Sequence, residues 1–336
     1  MVAQEIVSGA QTTVKYDFET SFGTGGSAAY PFGWGTKVTV KRNNNLERVY
    51  GLGSRNSQYT VAKKFEGSMT IDFVLGNAYW LRSVVGTQGA AVGGAPYTHA
   101  FTEADNPVTL QVMVGTNLGT NDMVTTYTGV VVKSAKLAMA VNETTKVTLD
   151  CDYATESTAF TGTFAHVADT YADPMTFSMG SVTYAGQAMG IVYSGIVQTC
   201  ELTINNNSEM VFGLGARTSQ ERVNKTRAYD IRMSYALASV ANSADVFENM
   251  MGDTATPVIP ATGNITGVNL VLTLSNGLGT TSLRSLVFTF TAAKCFINTS
   301  NMVFDVNEIL KDDVDGWAES ISTLVYTDNT GTGIGA

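Results

Sequence analysis

The side chains able to do acid-base or nucleophilic chemistry are few and scattered. His99 and His166 are the two histidines of a 336-residue chain, and neither G-x-S-x-G nor G-x-x-x-x-G-K-[ST] occurs in it, so neither a nucleophile elbow nor a P-loop is readable. Gly51-Leu52-Gly53 and Gly213-Leu214-Gly215 begin like phosphate-binding turns, but neither completes G-x-G-x-x-G and the residues after each read as loop and strand. Their glycines are expected in turns that use positive φ. Asp313, Asp315 and Gly316 resemble part of a calcium loop, yet Lys311 holds the preceding ligand position and the closing Glu is missing, which leaves a solvated acidic face. Cys151, Cys200 and Cys295 are far apart and lack C-x-x-C, so they are expected to be buried thiols rather than a disulfide framework or zinc site. Trp34, Trp80 and Trp317 flank no recognisable carboxylate pair of the kind a glycosidase uses. The chain is expected not to be an enzyme, with no catalytic, cofactor or metal residue assigned.

Composition agrees with a structural role. Hydrophobic residues are 44% and charged residues only 15%, with 33 Gly and 6 Pro; such a chain buries a core under an unusually uncharged surface and suits ordered β-structure. The formal net charge is −9, from 20 Lys+Arg and 29 Asp+Glu, which argues against a protein that grips nucleic acid. Through residue 166 there are 12 basic and 13 acidic residues, and after it 8 and 16, so the second half holds most of the excess. No apolar run reaches 18 residues and the start, MVAQEIVSGAQ, lacks the regions of a signal peptide. The expectation is a chain folded in the cytoplasm without a membrane span.

The strongest signal is an internal repeat. Residues 43–58 (NNNLERVYGLGSRNSQ) and 205–220 (NNNSEMVFGLGARTSQ) agree at 11 of 16 positions, far above chance. Behind each, FEGSMTIDFVL (65–75) and RAYDIRMSYAL (227–237) alternate with the period of a strand. Met69, Ile71, Phe73 and Leu75 match Ile231, Met233, Tyr235 and Leu237 on one face, while Glu66, Ser68, Thr70 and Asp72 match the polar set Asp230, Arg232 and Ser234 on the other. NAYWLRSVVG (77–86) and SADVFENMMG (243–252) each run from an N-cap type, Asn77 or Ser243, to a glycine, predicting one short α-helix per copy. VTLQVMVGTNLGT (108–120) recurs as VNLVLTLSNGLGT (268–280), and further strands are read at Thr128–Val132 and Lys146–Tyr153. The reading is a mainly β chain with two tandem domains, 1–165 and 166–336, a linker near 164–174 and a Gly/Thr-rich tail.

With N-N-N-L-E-R-V-Y-G-L-G-S-R (43–55), the alternating strand behind it, P-M-T-F-S-M-G-S-V-T-Y-A-G (174–186) and V-N-E-I-L-K-D-D-V-D (306–315), the chain resembles tail tube proteins of long-tailed phages and related viruses. The resemblance implies two tail-tube-type β-sandwiches, each with a flanking helix, whose inner sheets join neighbours into a continuous barrel. Single-domain members form hexameric rings, so two fused domains imply three chains per ring with pseudo-sixfold symmetry. It further implies stacking of rings into a tube in the virion tail, assembly in the host cytoplasm, and contacts with terminator, baseplate or tip, and tape-measure proteins. Double-stranded DNA would pass without specific binding, and no cofactor or membrane is implied.

Two sets of residues then acquire roles. A polar, mildly acidic face would let DNA slide, and Glu66, Ser68, Thr70, Asp72, Asp230, Arg232 and Ser234 are the candidate lining. The repeated loops would meet neighbouring domains or the next ring through Asn43, Asn44, Asn45, Gly51, Gly53, Arg55 and Gln58, and through Asn205, Asn206, Asn207, Gly213, Gly215, Arg217 and Gln220. Identity between the copies is higher in this loop than in the strands beside it, the reverse of ordinary loop drift. A surface-layer or adhesin-like β-repeat protein is the alternative, and it should carry a secretion signal.

Overall fold

One-sided alternation dictates the architecture. From Met69 to Phe73 every second side chain is buried while Ser68, Thr70 and Asp72 stay half exposed, the pattern of a strand with one face on a core and one in water. The computed structural model describes residues 12–26, 30–117, 122–161, 164, 173–185, 190–192, 197–236, 265, 267–279, 282–303 and 311–329. The second expected helix (243–252), most of the linker, the C-terminal tail and Leu237 lie outside the described residues.

The first half supplies β1 (Thr12–Phe18), β2 (Trp34–Asn43), β3 (Leu46–Tyr50), β4 (Ser57–Ala62), β5 (Glu66–Val74) and β6 (Gly86–Gln88). It continues with β7 (Tyr97–Glu103), β8 (Leu110–Asn117), β9 (Asp122–Ala140), β10 (Lys146–Tyr153) and β11 (Thr155–Thr161). The second half supplies β12 (Thr176–Ala185), β13 (Gly190–Val192), β14 (Val197–Asn205), β15 (Glu209–Phe212), β16 (Ser219–Val223) and β17 (Ala228–Ala236). Its last strands are β18 (Asn269–Ser275), β19 (Ser285–Phe290), β20 (Cys295–Val303), β21 (Lys311–Ala318) and β22 (Ile321–Asp328).

Eight of these make one antiparallel path in the order β2-β5-β10-β9-β14-β17-β21-β20. Its first four strands and its last four occupy corresponding places in the repeat, Glu66 of β5 answering to Ala228 of β17 and Lys146 of β10 to Lys311 of β21. The two quartets join where β9 pairs with β14, with Ser134 opposite Asn205, Leu137 opposite Leu202 and Ala140 opposite Thr199. Neither end of the path has a second partner strand among the described residues, so no barrel closes within one chain.

The other layer repeats in the same way. The order β1-β8-β9-β11 of the first half reappears as β12-β18-β19-β22 in the second. Strand β9 serves both layers: its first part pairs with β8 and β11, the rest with β10 and β14. The nineteen-residue strand turns at Gly129, whose φ of +63° and whose closeness to Ala154 (an added Cβ would sit 2.7 Å from its Cβ) leave no room for a side chain.

The halves do not pack separately. β22 pairs onward with β7, and β7 with β6, so a hairpin of the first half completes a sheet of the second. Tyr79 donates to Asp328 Oδ2 at 2.5 Å, and His99 Nε2 lies 3.0 Å from Asp328 Oδ1, with His99 and Asp328 fully buried. One hydrophobic cluster runs from Tyr16 and Phe32 to Leu324 and Tyr326.

The expected α-helix at 77–86 is instead a 3-10 turn, Tyr79–Ser83, and Asn77 does not cap it. The Asn77 amide donates to the carbonyls of Pro31 and Phe32. Tyr79, Trp80, Leu81, Ser83, Val84 and Val85 are all buried and Arg82 is partly exposed, so the segment lacks the wet face of an amphipathic helix, and so short a stretch gains little from α-helical nucleation.

Candidate assembly and channel surfaces

Each Asn run ends a strand by folding onto its own backbone. Asn45 takes φ +45° and Asn207 φ +47°, a region Asn tolerates. The Asn45 amide donates to Lys64 O at 3.0 Å, and that of Asn207 to Thr226 O at 2.8 Å. Asn43 Oδ1 accepts from Asn45 N, and the Asn205 amide reaches Asp230. The two Gly-Leu-Gly segments are the tips of the hairpins β3–β4 and β15–β16, with Gly53 at φ +82° and Gly215 at φ +84°. The Gln58 amide lies over Gly51, and Gln220 folds back on Thr218 O.

The hairpins differ in what they touch. The second lies on the first half of its own chain: Arg217 Nε donates to Lys63 O at 3.0 Å, Arg217 O accepts from Phe65 N at 2.7 Å, and Arg217 reaches Asn44 Oδ1 at 3.4 Å. Asn224 donates to Asp105 O, and Arg222 to Pro107 O. At its base Asn206 is buried, its amide donating to Val84 O and Val132 O and its backbone N–H to Lys133 O. In the first hairpin every residue of β3 and β4 is exposed, and Arg55 and Gly53 reach into open space with no hydrogen-bond partner for the Arg55 side chain among the described residues. Leu52 and Leu214, at the two tips, are fully exposed. Sequence reasoning missed both, because a leucine between strands reads as core.

The seven lining candidates share one face of the eight-strand path. A single cross-strand row runs Lys37, Asp72, Thr148, Lys136, Thr203, Asp230, Trp317. Another joins Glu201, Arg232, Asp315 and Thr299. Ser68, Thr70 and Ser234 fall on the same side, and Glu66 stands at its rim, where Lys64 and then Asn45 hold its carboxyl below the usual range.

The charges on this face come to a slight acidic excess, eight acids against seven bases. Its acids are Glu66, Asp72, Asp150, Asp152, Glu201, Asp230, Asp313 and Asp315, and its bases Lys37, Lys41, Lys133, Lys136, Lys146, Arg232 and Lys311. Ion pairs tie opposite signs together: Lys136–Glu201 at 2.5 Å, Lys133–Asp152 at 2.9 Å and Arg232–Asp315 at 2.9 Å. The first of these bridges β9 and β14, although partly exposed pairs add little stability and the junction rests on its ladder and on Leu137 and Leu202 beneath. Open concavities of about 720 and 480 Å³ are sunk in the face.

The described residues thus form a long antiparallel sheet whose end strands each have one partner strand, with a polar face and an exposed first hairpin. The family model described as phage tail tube protein matches residues 9–307, through both halves. The chain belongs to the phage tail tube protein family. It is thereby a structural tail protein, and the match covers both Asn/Gly hairpins and all seven lining candidates. No curated protein matches the chain.

Proposed function

We propose that this tail tube protein polymerises into stacked three-chain rings whose joined sheets line a conduit for genomic DNA in the virion tail. The observation behind this is the eight-strand path made of two like quartets and open at both ends. An exposed strand edge invites pairing, and a ring of like subunits removes it. Residues 1–165 and 166–336 act as two tail-tube-like domains, the first lending β6 and β7 to the sheet of the second, so one chain fills two of six positions.

Three chains contribute about 24 strands. At ~4.8 Å spacing and ~40° tilt the backbone cylinder is roughly 48 Å across, and side chains leave a bore of about 40 Å, wide enough for a ~20 Å duplex. A face of paired, nearly balanced charge offers phosphates no basic track, which suits a polymer that must slide. The hairpin tips, with Leu52 and Leu214, face the next ring or a terminator, baseplate or tape-measure protein. Electron microscopy of the purified protein tests this: stacked rings with a hole near 40 Å are expected, and persistent monomers in all buffers would reject it.

A further inference from the structure

We propose that the junction between chains copies the junction inside the chain residue for residue, so that β20 pairs with β2 of a second copy in one register. The inference rests on the ring reading and goes further by fixing which atoms meet. Inside the chain β9 meets β14 with Ser134 opposite Asn205, Lys136 opposite Thr203 and Leu137 opposite Leu202. Strand β20 stands to β21 as β9 stands to β10, down to the irregularity: Lys133 is skipped between Ser134 and Val132, and Asn298 between Thr299 and Ile297. A bulge at the same place marks the two strands as the same structural element. Likewise β2 stands to β5 as β14 stands to β17, with Asn43 opposite Glu66 and Asn205 opposite Ala228.

Carrying the internal register across places Thr299 opposite Asn43, Asn301 opposite Lys41, and Met302 opposite Val40 of the second copy. The facing characters agree. Met302 and Val40 are both half-buried and lie on the apolar side, where Leu137 and Leu202 meet inside the chain. Asn301 and Lys41 are exposed on the polar side, where Lys136 and Thr203 meet. The Asn44 N–H of the second copy then donates to the Asn298 carbonyl of the first, as Asn206 N–H donates to Lys133 O at 2.7 Å. The exposed first hairpin finds its seat in the same step. Arg217 grips Lys63 O inside the chain, so Arg55 grips the corresponding carbonyl, Lys225 O, of the neighbour, within one ring rather than between rings.

A register slip of two residues keeps the same faces inward, so the test must tell neighbouring positions apart. Cysteine pairs Lys41→Cys with Asn301→Cys and Val40→Cys with Met302→Cys sample both classes of cross-strand pair, one of which suits disulfide geometry. Thr39→Cys with Asn301→Cys and Val38→Cys with Met302→Cys report the slip. The native thiols stay silent, since burial pushes Cys200 and Cys295 up to about 12 and Cys151 higher still.

After oxidation of assembled rings, non-reducing gels should show most chains linked for at least one in-register pair and none for the slipped pairs or single cysteines. Linkage through a slipped pair, or none by any pair in rings visible by microscopy, overturns the register and leaves the ring reading standing. If the cysteine variants fail to assemble, a density map of wild-type rings showing Met302 opposite a residue other than Val40 does the same. Wild-type protein that never forms rings overturns both.

Discussion

Arg55 and Arg217 are the same residue of the repeat in two situations. Arg217 is held by backbone carbonyl and Asn44 of its own chain, whereas Arg55 reaches outward. Arg217→Ala should therefore lower monomer stability by about 0.5–1 kcal/mol, the worth of an exposed hydrogen bond. Arg55→Ala should leave the denaturation midpoint of the monomer unchanged and raise the concentration needed for rings. Urea titration with sedimentation of both variants separates the cases; equal effects on monomer stability would show that the two loops are not used differently. Much at this scale was readable from residue types. The Asn turns arise from tolerance of positive φ, and the polar set from Glu66 to Asp72 from simple alternation. Leu52 and Leu214 were not readable, because only the hairpin geometry shows that they project from a tip.

At the scale of elements, sequence periodicity located β5, β10 and β17 well. It saw only Thr128–Val132 of the nineteen-residue β9, since the turn at Gly129 and the skipped Lys133 each break the two-residue period that identifies a strand. The 3-10 turn Tyr79–Ser83 looked helical because a fully buried short run and one face of a helix share the same spacing. The addition of β7 to β22 was invisible for another reason: it joins residues more than 200 positions apart, and no local pattern encodes such a pairing. Element geometry also predicts where stability resides. Leu202→Ala, fully buried at the internal junction, should cost about 2–5 kcal/mol. Val40→Ala, at the corresponding place on the free edge, should cost the isolated monomer less than about 1 kcal/mol. Chemical denaturation of both measures the difference, and a large loss for Val40→Ala would mean that the edge is already covered in the single chain.

For the whole molecule, charge placement matters more than net charge. The chain is at −9, yet the polar face holds nearly equal numbers of acids and bases, several in ion pairs. Asp72→Lys with Asp230→Lys would add a basic row to that face, leaving the β9–β14 backbone ladder in place and removing the side-chain hydrogen bond from Asn205 to Asp230. Assembled tubes of this variant should retain duplex DNA at low salt and release it steeply as salt rises, while wild-type tubes should not retain it. A filter-binding series across ionic strength checks this, and unchanged retention would place the face away from the DNA path.

The pairing of β9 with β14 also bears on kinetics. Because the two quartets are tethered, half the contacts of the proposed three-chain ring would form by intramolecular search at fixed local concentration, independent of how much protein has been synthesised. Closing the ring then needs a termolecular rather than hexamolecular encounter, so the onset of tube growth should depend far less steeply on protein level than for six separate subunits.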